Sequence, residues 1–314
     1  MDRAAKYRVL VTDGLHDAGL KLLRAQGERI ELDLRTSISS EELHRIIADY
    51  DALLIHVATK LTPDLMLRAA PRLKLIACAS VGFDHVALDA AQAQGVKVVS
   101  AAGANADSVG DLALALILAM ARRLPECRES MAAGRWDRKN LTGFALKEKT
   151  LGILGLGNTG RATAVRAAAF GMRVIGYDPQ YPQGSVVPGV QQICGSKKEV
   201  LLNCQVLSVH VPLKSDTSPL ISAEDLNVLG EGSYLVNTSR GGVVREADLK
   251  PFLEKGSLAG YGVDVFETEP LPADHWLRGH PRVVATLHLG GATESARTSV
   301  AVNIAQQVMG FFNV

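Results

Sequence analysis

The chain has 314 residues, 47% of them hydrophobic, with 34 basic against 33 acidic side chains. That length exceeds one ordinary core and argues for two domains, and the apolar content excludes a disordered chain. A net charge of +1 leaves no electrostatic footprint for nucleic acid or an anionic membrane surface, so neither partner is expected.

The longest apolar run, 112–121, is too short to span a bilayer, and the start of the chain leads toward a strand rather than a signal-peptide core. Cys78, Cys127, Cys194 and Cys204 are scattered, without CxxC or metal-ligand spacing, which points to reduced thiols in the cytoplasm and no metal site. Over residues 1–100, strands are expected at 7–11, 30–34, 52–55, 73–77 and 96–99. Amphipathic helices are expected near 18–25, 40–48, 63–70 and 88–93. Ser39 and Ser40 before Glu41 and Glu42 supply N-cap and first-turn chemistry. Short apolar strands alternating with helices argue for a parallel sheet covered on both faces. No glycine fingerprint occurs here, so this α/β unit has a task of its own.

The small residues of 101–106 read as a crossover between domains. A single helical pattern, 108–124, is apolar on most faces and must be buried, and a dimer contact is the expected reason. Residues 132–136 end the next helix, with Trp136 expected to pack rather than to hold a ligand. From Thr150 the alternation restarts, with six strands at 150–154, 172–177, 206–210, 233–236, 258–263 and 282–286, the count of a full dinucleotide fold. A closing helix, 293–312, has no strand after it. If it packs on the first unit, that domain is built from both chain ends.

The first strand of this second unit ends in Gly155-Leu156-Gly157-Asn158-Thr159-Gly160, followed by a helix-compatible run. Gly155 permits a tight turn, Gly157 lets a pyrophosphate approach the backbone, and Gly160 lets helix and strand pack closely, with the anion at the helix N-terminus. The next strand ends at Asp178, where a carboxylate accepts hydrogen bonds from an adenosine ribose. No basic residue follows before Lys197, so NAD is favoured over NADP. Later strands of the same unit end in polar groups. Arg240 lies in Asn237-Thr238-Ser239-Arg240-Gly241, Glu269 follows Asp264-Val265-Phe266-Glu267, and His288 follows the last strand. A histidine beside a carboxylate suits proton transfer, and an arginine beside both supplies fixed positive charge for an anionic substrate.

These motifs, with His288-Leu289-Gly290-Gly291-Ala292-Thr293, resemble nearly end to end the D-2-hydroxyacid dehydrogenases, which include phosphoglycerate dehydrogenases and hydroxypyruvate and glyoxylate reductases. The resemblance implies two doubly wound Rossmann-like domains. The substrate domain would be discontinuous, 1–102 and 291–314, and the NAD-binding domain, 103–290, would be inserted into it, with the site in the cleft. It implies hydride transfer between NAD and C2 of a small 2-oxo or 2-hydroxy acid. Arg240 would hold the substrate, His288 would donate the proton, and Glu269 would orient and charge His288. Asn158, Thr159, Val211, Pro212, Thr238, Asp264, Gly290 and Gly291 match further cofactor positions, with Asp264 expected to face the nicotinamide carboxamide. Ala79-Ser80-Val81-Gly82-Phe83-Asp84 resembles the substrate loop, where backbone N–H groups around Val81 and Gly82 would take the carboxylate beside Ser80.

Several positions depart from the pattern. Phosphoglycerate dehydrogenases often place arginines where His56 and Cys78 stand, so an unphosphorylated substrate is expected. Leu287 replaces a frequent proline, Asp111 a common glutamate and Thr159 a common isoleucine. D-3-phosphoglycerate dehydrogenase is the alternative among enzymes, and a dinucleotide-sensing corepressor-like interaction protein the alternative outside them.

Overall fold

The computed structural model describes residues 6–314. The first part runs β1 (Tyr7–Val11), α1 (Asp17–Arg24), β2 (Ile30–Leu34), α2 (Ser40–Ile46), β3 (Ala52–Ile55), α3 (Pro63–Ala69), β4 (Leu75–Cys78), α4 (Leu88–Ala93) and β5 (Lys97–Ser100). Then come α5 (Ala106–Ala121), α6 (Leu124–Ala132), β6 (Thr150–Leu154), α7 (Asn158–Ala169), β7 (Arg173–Tyr177), β8 (Gln192–Ile193), α8 (Lys197–Asn203) and β9 (Val206–Val209). The chain closes with α9 (Ala223–Val228), β10 (Ser233–Asn237), α10 (Glu246–Lys255), β11 (Leu258–Val263), β12 (Val283–Ala285) and α11 (Glu294–Phe312). It divides into two compact units. Unit 1 takes the chain up to Asn105 together with Thr293–Val314, and unit 2 is Ala106–Ala292.

Unit 1 is a five-stranded parallel sheet of order β2-β1-β3-β4-β5. β3 and β4 are buried along their whole length, as strands covered on both faces must be. On one face Val9, Val11, Leu23 and Ile30 share a core with Ile304, Ala305, Val308 and Phe312 of α11. Gly19 allows this packing, since a Cβ there would lie 2.5 Å from the Ala301 carbonyl oxygen. On the other face Leu10, Leu53 and Ile76 pack with Leu43, Ile47 and Leu65. Ser39 caps α2 by accepting from Glu42 N–H at 3.1 Å.

Unit 2 is a seven-stranded parallel sheet of order β12-β11-β10-β9-β6-β7-β8. The strand expected to open it, β6, lies inside the sheet, and the strand order reverses between β6 and β9, where an open α/β sheet binds ligands. The seventh strand, absent from the sequence reading, is β8, whose two residues are too short to carry a pattern. The helix expected over 108–124 is two, because Arg123 takes a left-handed conformation (φ 50°) between α5 and α6. Unit 2 itself covers most of α5. Val109, Ala113, Leu116, Ile117 and Met120 are buried, and Gly110 brings the helix onto Ala162 of α7. Most of the apolar pattern that suggested a subunit contact is thus accounted for within the unit, with Leu112 and Leu118 left half-buried. Trp136 differs from expectation: it is 81% exposed, because Gly134 (φ 69°) turns the chain away after α6. All four cysteines are free. Among the described residues no helix is long and apolar enough to cross a membrane, and no cluster of His, Cys, Asp or Glu is arranged to hold a metal ion.

Candidate active site

The three glycines after β6 are needed for three different reasons. Gly155 has φ 91°, and a Cβ on it would lie 2.5 Å from the His210 carbonyl oxygen, so the turn presses against the end of β9. A Cβ on Gly160 would collide with the Gly155 carbonyl, which fixes α7 close to β6. Gly157 faces open space, and as N-cap of the 12-residue α7 it offers no side chain to the first N–H groups of the helix. An uncapped helix start with an open glycine is a place for a phosphate anion.

Asp178 follows β7. Its Oδ2 accepts from Leu156 N–H at 2.8 Å and its Oδ1 from Gln180 N–H at 2.9 Å, so the carboxylate is held beside the glycine turn. The Asn158 side chain is bound by Arg161 at 2.8 Å, and Arg161 reaches Tyr181 at 2.7 Å, which ties the helix start to the loop after β7. Half-buried Val211 and exposed Pro212 follow β9. Two buried polar atoms in this region have no partner, Thr238 Oγ1 and His210 Nδ1. Burial pulls His210 down to about 4, so it is neutral, and its Nε2 bonds Ser208 Oγ at 2.8 Å. An open helix start, an anchored carboxylate and unsatisfied polar atoms at neighbouring strand ends fit the phosphates and polar edges of a dinucleotide.

Beyond β10, buried Asn237 shapes the turn that carries Arg240. Its Nδ2 donates to Arg240 O at 3.0 Å, and its Oδ1 accepts from Ser239 N–H at 3.0 Å and Ser239 Oγ at 2.7 Å. Beyond β11 lies Asp264, the residue expected to face the nicotinamide carboxamide. It is 1% exposed, with Oδ1 taken by Thr286 Oγ1 at 2.6 Å and Leu289 N–H at 2.7 Å, and Oδ2 by Gly290 N–H at 2.8 Å. Its carboxylate is committed to the loop around His288. Gly290, also expected at the cofactor, is buried, and a Cβ on it would meet Val109 and Asp264. Gly291 is half-buried in the same loop.

That loop holds His288 at φ 55°, a conformation that strains a non-glycine residue by about 1–3 kcal/mol. The clamp from Asp264 maintains it, helped by His288 N–H donating to Asp264 O at 2.9 Å. In this pose His288 Nδ1 lies 2.7 Å from Glu269 Oε2, while Glu269 Oε1 accepts from Phe266 N–H at 2.9 Å. A carboxylate only accepts, so the bonded Nδ1 carries the proton and Nε2 is left for chemistry. His288 and Glu269 line a cavity of about 510 Å³ with Phe266, Leu271 and Leu287. Glu267 points elsewhere, to Glu246 N–H at 2.8 Å.

In unit 1, Ser80, Val81 and Gly82 lie half-buried just beyond β4, where Ser80 Oγ donates to Gly82 O at 3.0 Å. Cys78 is wholly buried, its thiol pushed up to about 12, so it faces core rather than ligand. His56 lines a separate cavity of about 310 Å³ with Asp13, His16 and Arg297, and its pKa is lowered by desolvation of the ring, against the opposing charge of Asp13 and with that of Arg297. Sequence reasoning missed Asn237, Thr286, His210 and Arg297. The first three look like ordinary strand-end residues, and Arg297 like a surface helical charge.

Comparison with known proteins places the chain among similar sequences and folds. Residues 114–290 match the family model described as D-isomer specific 2-hydroxyacid dehydrogenase, NAD binding domain. The chain is 36% identical over 308 residues to the hydroxypyruvate reductase of Thermotoga maritima, covering 97% of this chain and 98% of that one. It is 36% identical over 301 residues to the D-3-phosphoglycerate dehydrogenase of Methanocaldococcus jannaschii, covering 96% of this chain. The chain spans only 56% of that relative's length. Among solved structures, a D-lactate dehydrogenase from Aquifex aeolicus complexed with NAD and lactic acid superposes with a TM-score of 0.83 at 27% identity, over 97% of this chain and 95% of that one.

Proposed function

Because this chain belongs to the D-isomer specific 2-hydroxyacid dehydrogenase family, we propose that it interconverts a small D-2-hydroxy acid and its 2-oxo acid with NAD(H), hydroxypyruvate and glyoxylate being the favoured type. The observation that carries this reading is the 2.7 Å contact of His288 Nδ1 with Glu269. With Nδ1–H held by the carboxylate, Nε2 gives a proton to the carbonyl oxygen in reduction and takes it from the hydroxyl in oxidation. Arg240 supplies a fixed charge for the substrate carboxylate and the polarised carbonyl. In unit 1, the backbone N–H groups around Ser80, Val81 and Gly82 offer a place for a carboxylate. Gly155, Gly157, Asn158, Thr159 and Gly160 would hold the pyrophosphate and Asp178 the adenosine ribose, with Val211, Pro212, Thr238 and Gly291 along the rest of the cofactor. NAD held by these residues would supply the hydride donor or acceptor for C2. Asp178 disfavours a 2′-phosphate, which supports NAD over NADP.

A second reading, D-3-phosphoglycerate dehydrogenase, is favoured by Arg297, a permanent cation on the unit 1 cavity that His56 also lines. Steady-state reduction of a panel of 2-oxo acids, with NADH and NADPH in parallel, separates the two. Preference for hydroxypyruvate or glyoxylate supports the first, and preference for 3-phosphohydroxypyruvate supports the second. His288→Ala is expected to lower turnover by about two to four orders of magnitude, and unchanged turnover rejects the assigned acid. For the surroundings we propose a cytoplasmic homodimer. The free cysteines support the compartment, and the half-buried Leu112 and Leu118 on α5 support the contact.

A further inference from the structure

Glu246 opens α10 and is only 5% exposed. A carboxylate so buried is costly unless its oxygens are held. Oε1 accepts from Glu267 N–H at 2.8 Å, and Oε2 lies 3.4 Å from His275 Nε2. The first bond is returned, since Glu246 N–H donates to Glu267 Oε1 at 2.8 Å. Leu277 N–H donates to His275 Nδ1 at 3.4 Å, so the neutral ring carries its proton on Nε2 and presents it to Glu246. The mechanism above uses none of these groups.

What they hold is the backbone of residues 266–267. One residue before the Glu246 anchor, Phe266 N–H donates to Glu269 Oε1 at 2.9 Å, whose other oxygen is on His288. The Phe266 carbonyl packs directly on Gly241, where a Cβ would collide with it, and Gly241 is the residue after Arg240. Two consecutive residues therefore meet the Arg240 turn, the Glu269 carboxylate and the Glu246 carboxylate.

We propose that Glu246, backed by His275, is a positioning residue that keeps the Glu269–His288 pair in register with the Arg240 turn, acting through the 266–267 backbone. Its effect on turnover rests on the dehydrogenase reading, whereas the geometry it sets does not.

Glu246→Met tests this. Methionine has nearly the same length and keeps the volume of the site, but Glu267 N–H and His275 lose their acceptor, so a folded protein with a lower melting temperature is expected. The expected result is a fall in kcat of about 10- to 100-fold with KM for NADH within about twofold. Glu246→Gln retains a carbonyl for that N–H and should keep kcat within about threefold of the wild type. Ring ¹⁵N shifts of His288, assigned by their loss in His288→Ala, give a readout independent of turnover. The Nδ1-protonated tautomer is expected in the wild type and Glu246→Gln, and a mixture in Glu246→Met. A folded Glu246→Met protein with wild-type kcat and wild-type tautomer overturns the proposal. Should that variant not fold, His275→Leu carries the test, with a several-fold loss of kcat expected and no loss overturning it. A wild type that reduces no 2-oxo acid, while Glu246→Met still mixes the tautomers, refutes the dehydrogenase reading and leaves the positioning role standing.

Discussion

Glu269→Gln isolates the contribution of one proton's location. Phe266 N–H points at Oε1 from 2.9 Å, so the glutamine carbonyl oxygen must stay there, because the reverse orientation sets two N–H groups against each other. The amide NH₂ then replaces the carboxylate oxygen that lies 2.7 Å from His288 Nδ1. Two donors cannot share that contact, so the ring must offer its Nδ1 lone pair and move its proton to Nε2. That is the wrong tautomer for accepting a proton from a hydroxyl. Losing one charge-assisted hydrogen bond costs about 1.5–3 kcal/mol. The imidazolium formed during oxidation also loses its counter-charge. Together, roughly 3–4 kcal/mol corresponds to a fall of about 10²–10³ in kcat for oxidation, at 1.36 kcal/mol per tenfold. The assay is steady-state oxidation of the best D-2-hydroxy acid by NAD, with NADH affinity measured by fluorescence and expected unchanged. Glu267→Gln is the control, since it keeps an oxygen for Glu246 N–H and should remain within about threefold. A Glu269→Gln enzyme within threefold of the wild type would refute the tautomer argument.

Three further predictions follow from the same geometry. Gly160→Ala places a methyl group on the Gly155 carbonyl, a backbone atom that cannot swing aside; about 2–3 kcal/mol of destabilisation and at least a tenfold weaker NADH titration are expected, and wild-type melting would contradict it. Asp178→Ala leaves Leu156 and Gln180 N–H without their acceptor, so KM for NADH should rise about tenfold and the preference over NADPH should shrink; an unchanged ratio removes Asp178 from cofactor choice. His210 is held neutral by burial, down to about 4 from its ordinary 6.5, so below pH 6.5 the unfolded chain binds the proton first. Its contribution is full above pH 6.5 and is lost as pH falls toward about 4, some 2 kcal/mol of it by pH 5. Urea melts at pH 7 and pH 5 should show this extra loss in the wild type but not in His210→Gln.

Long apolar strands were legible to the residue: β1, β2, β3, β6 and β11 stand at their expected limits. β3 and β6 are buried along their whole length and β11 nearly so, so their pattern is the fold's own, while β2 at the sheet edge buries only Ile30. Elements decided by backbone conformation were not legible. The break at Arg123 uses a left-handed non-glycine residue, which carries no compositional mark. In the site, the polar residues at strand ends could be gathered from one sheet, and the resemblance paired Glu269 with His288, but the bonds by which Asp264 clamps the His288 loop were not legible. Asp264 and Glu269 both follow β11, yet one is buried as a clamp and the other meets the histidine. Only the direction of the loop after Val263 separates them. Glu246, at the start of α10, reads from sequence as an ordinary first-turn acid.

The closing helix α11 gives unit 1 an awkward birth. During translation β1 to β5 emerge first, and Val9, Val11, Ala52 and Leu75 then wait for Ile304, Val308 and Phe312 to cover them. All of Ala106–Ala292 must leave the ribosome in between, roughly 10–40 s at ~5–20 residues per second. Unit 2, being continuous, can collapse as it appears, whereas unit 1 lacks the α11 side of its core until that helix has been made. Nascent-chain capture by a holdase should therefore fall on β1 to β5 and be released once α11 has emerged.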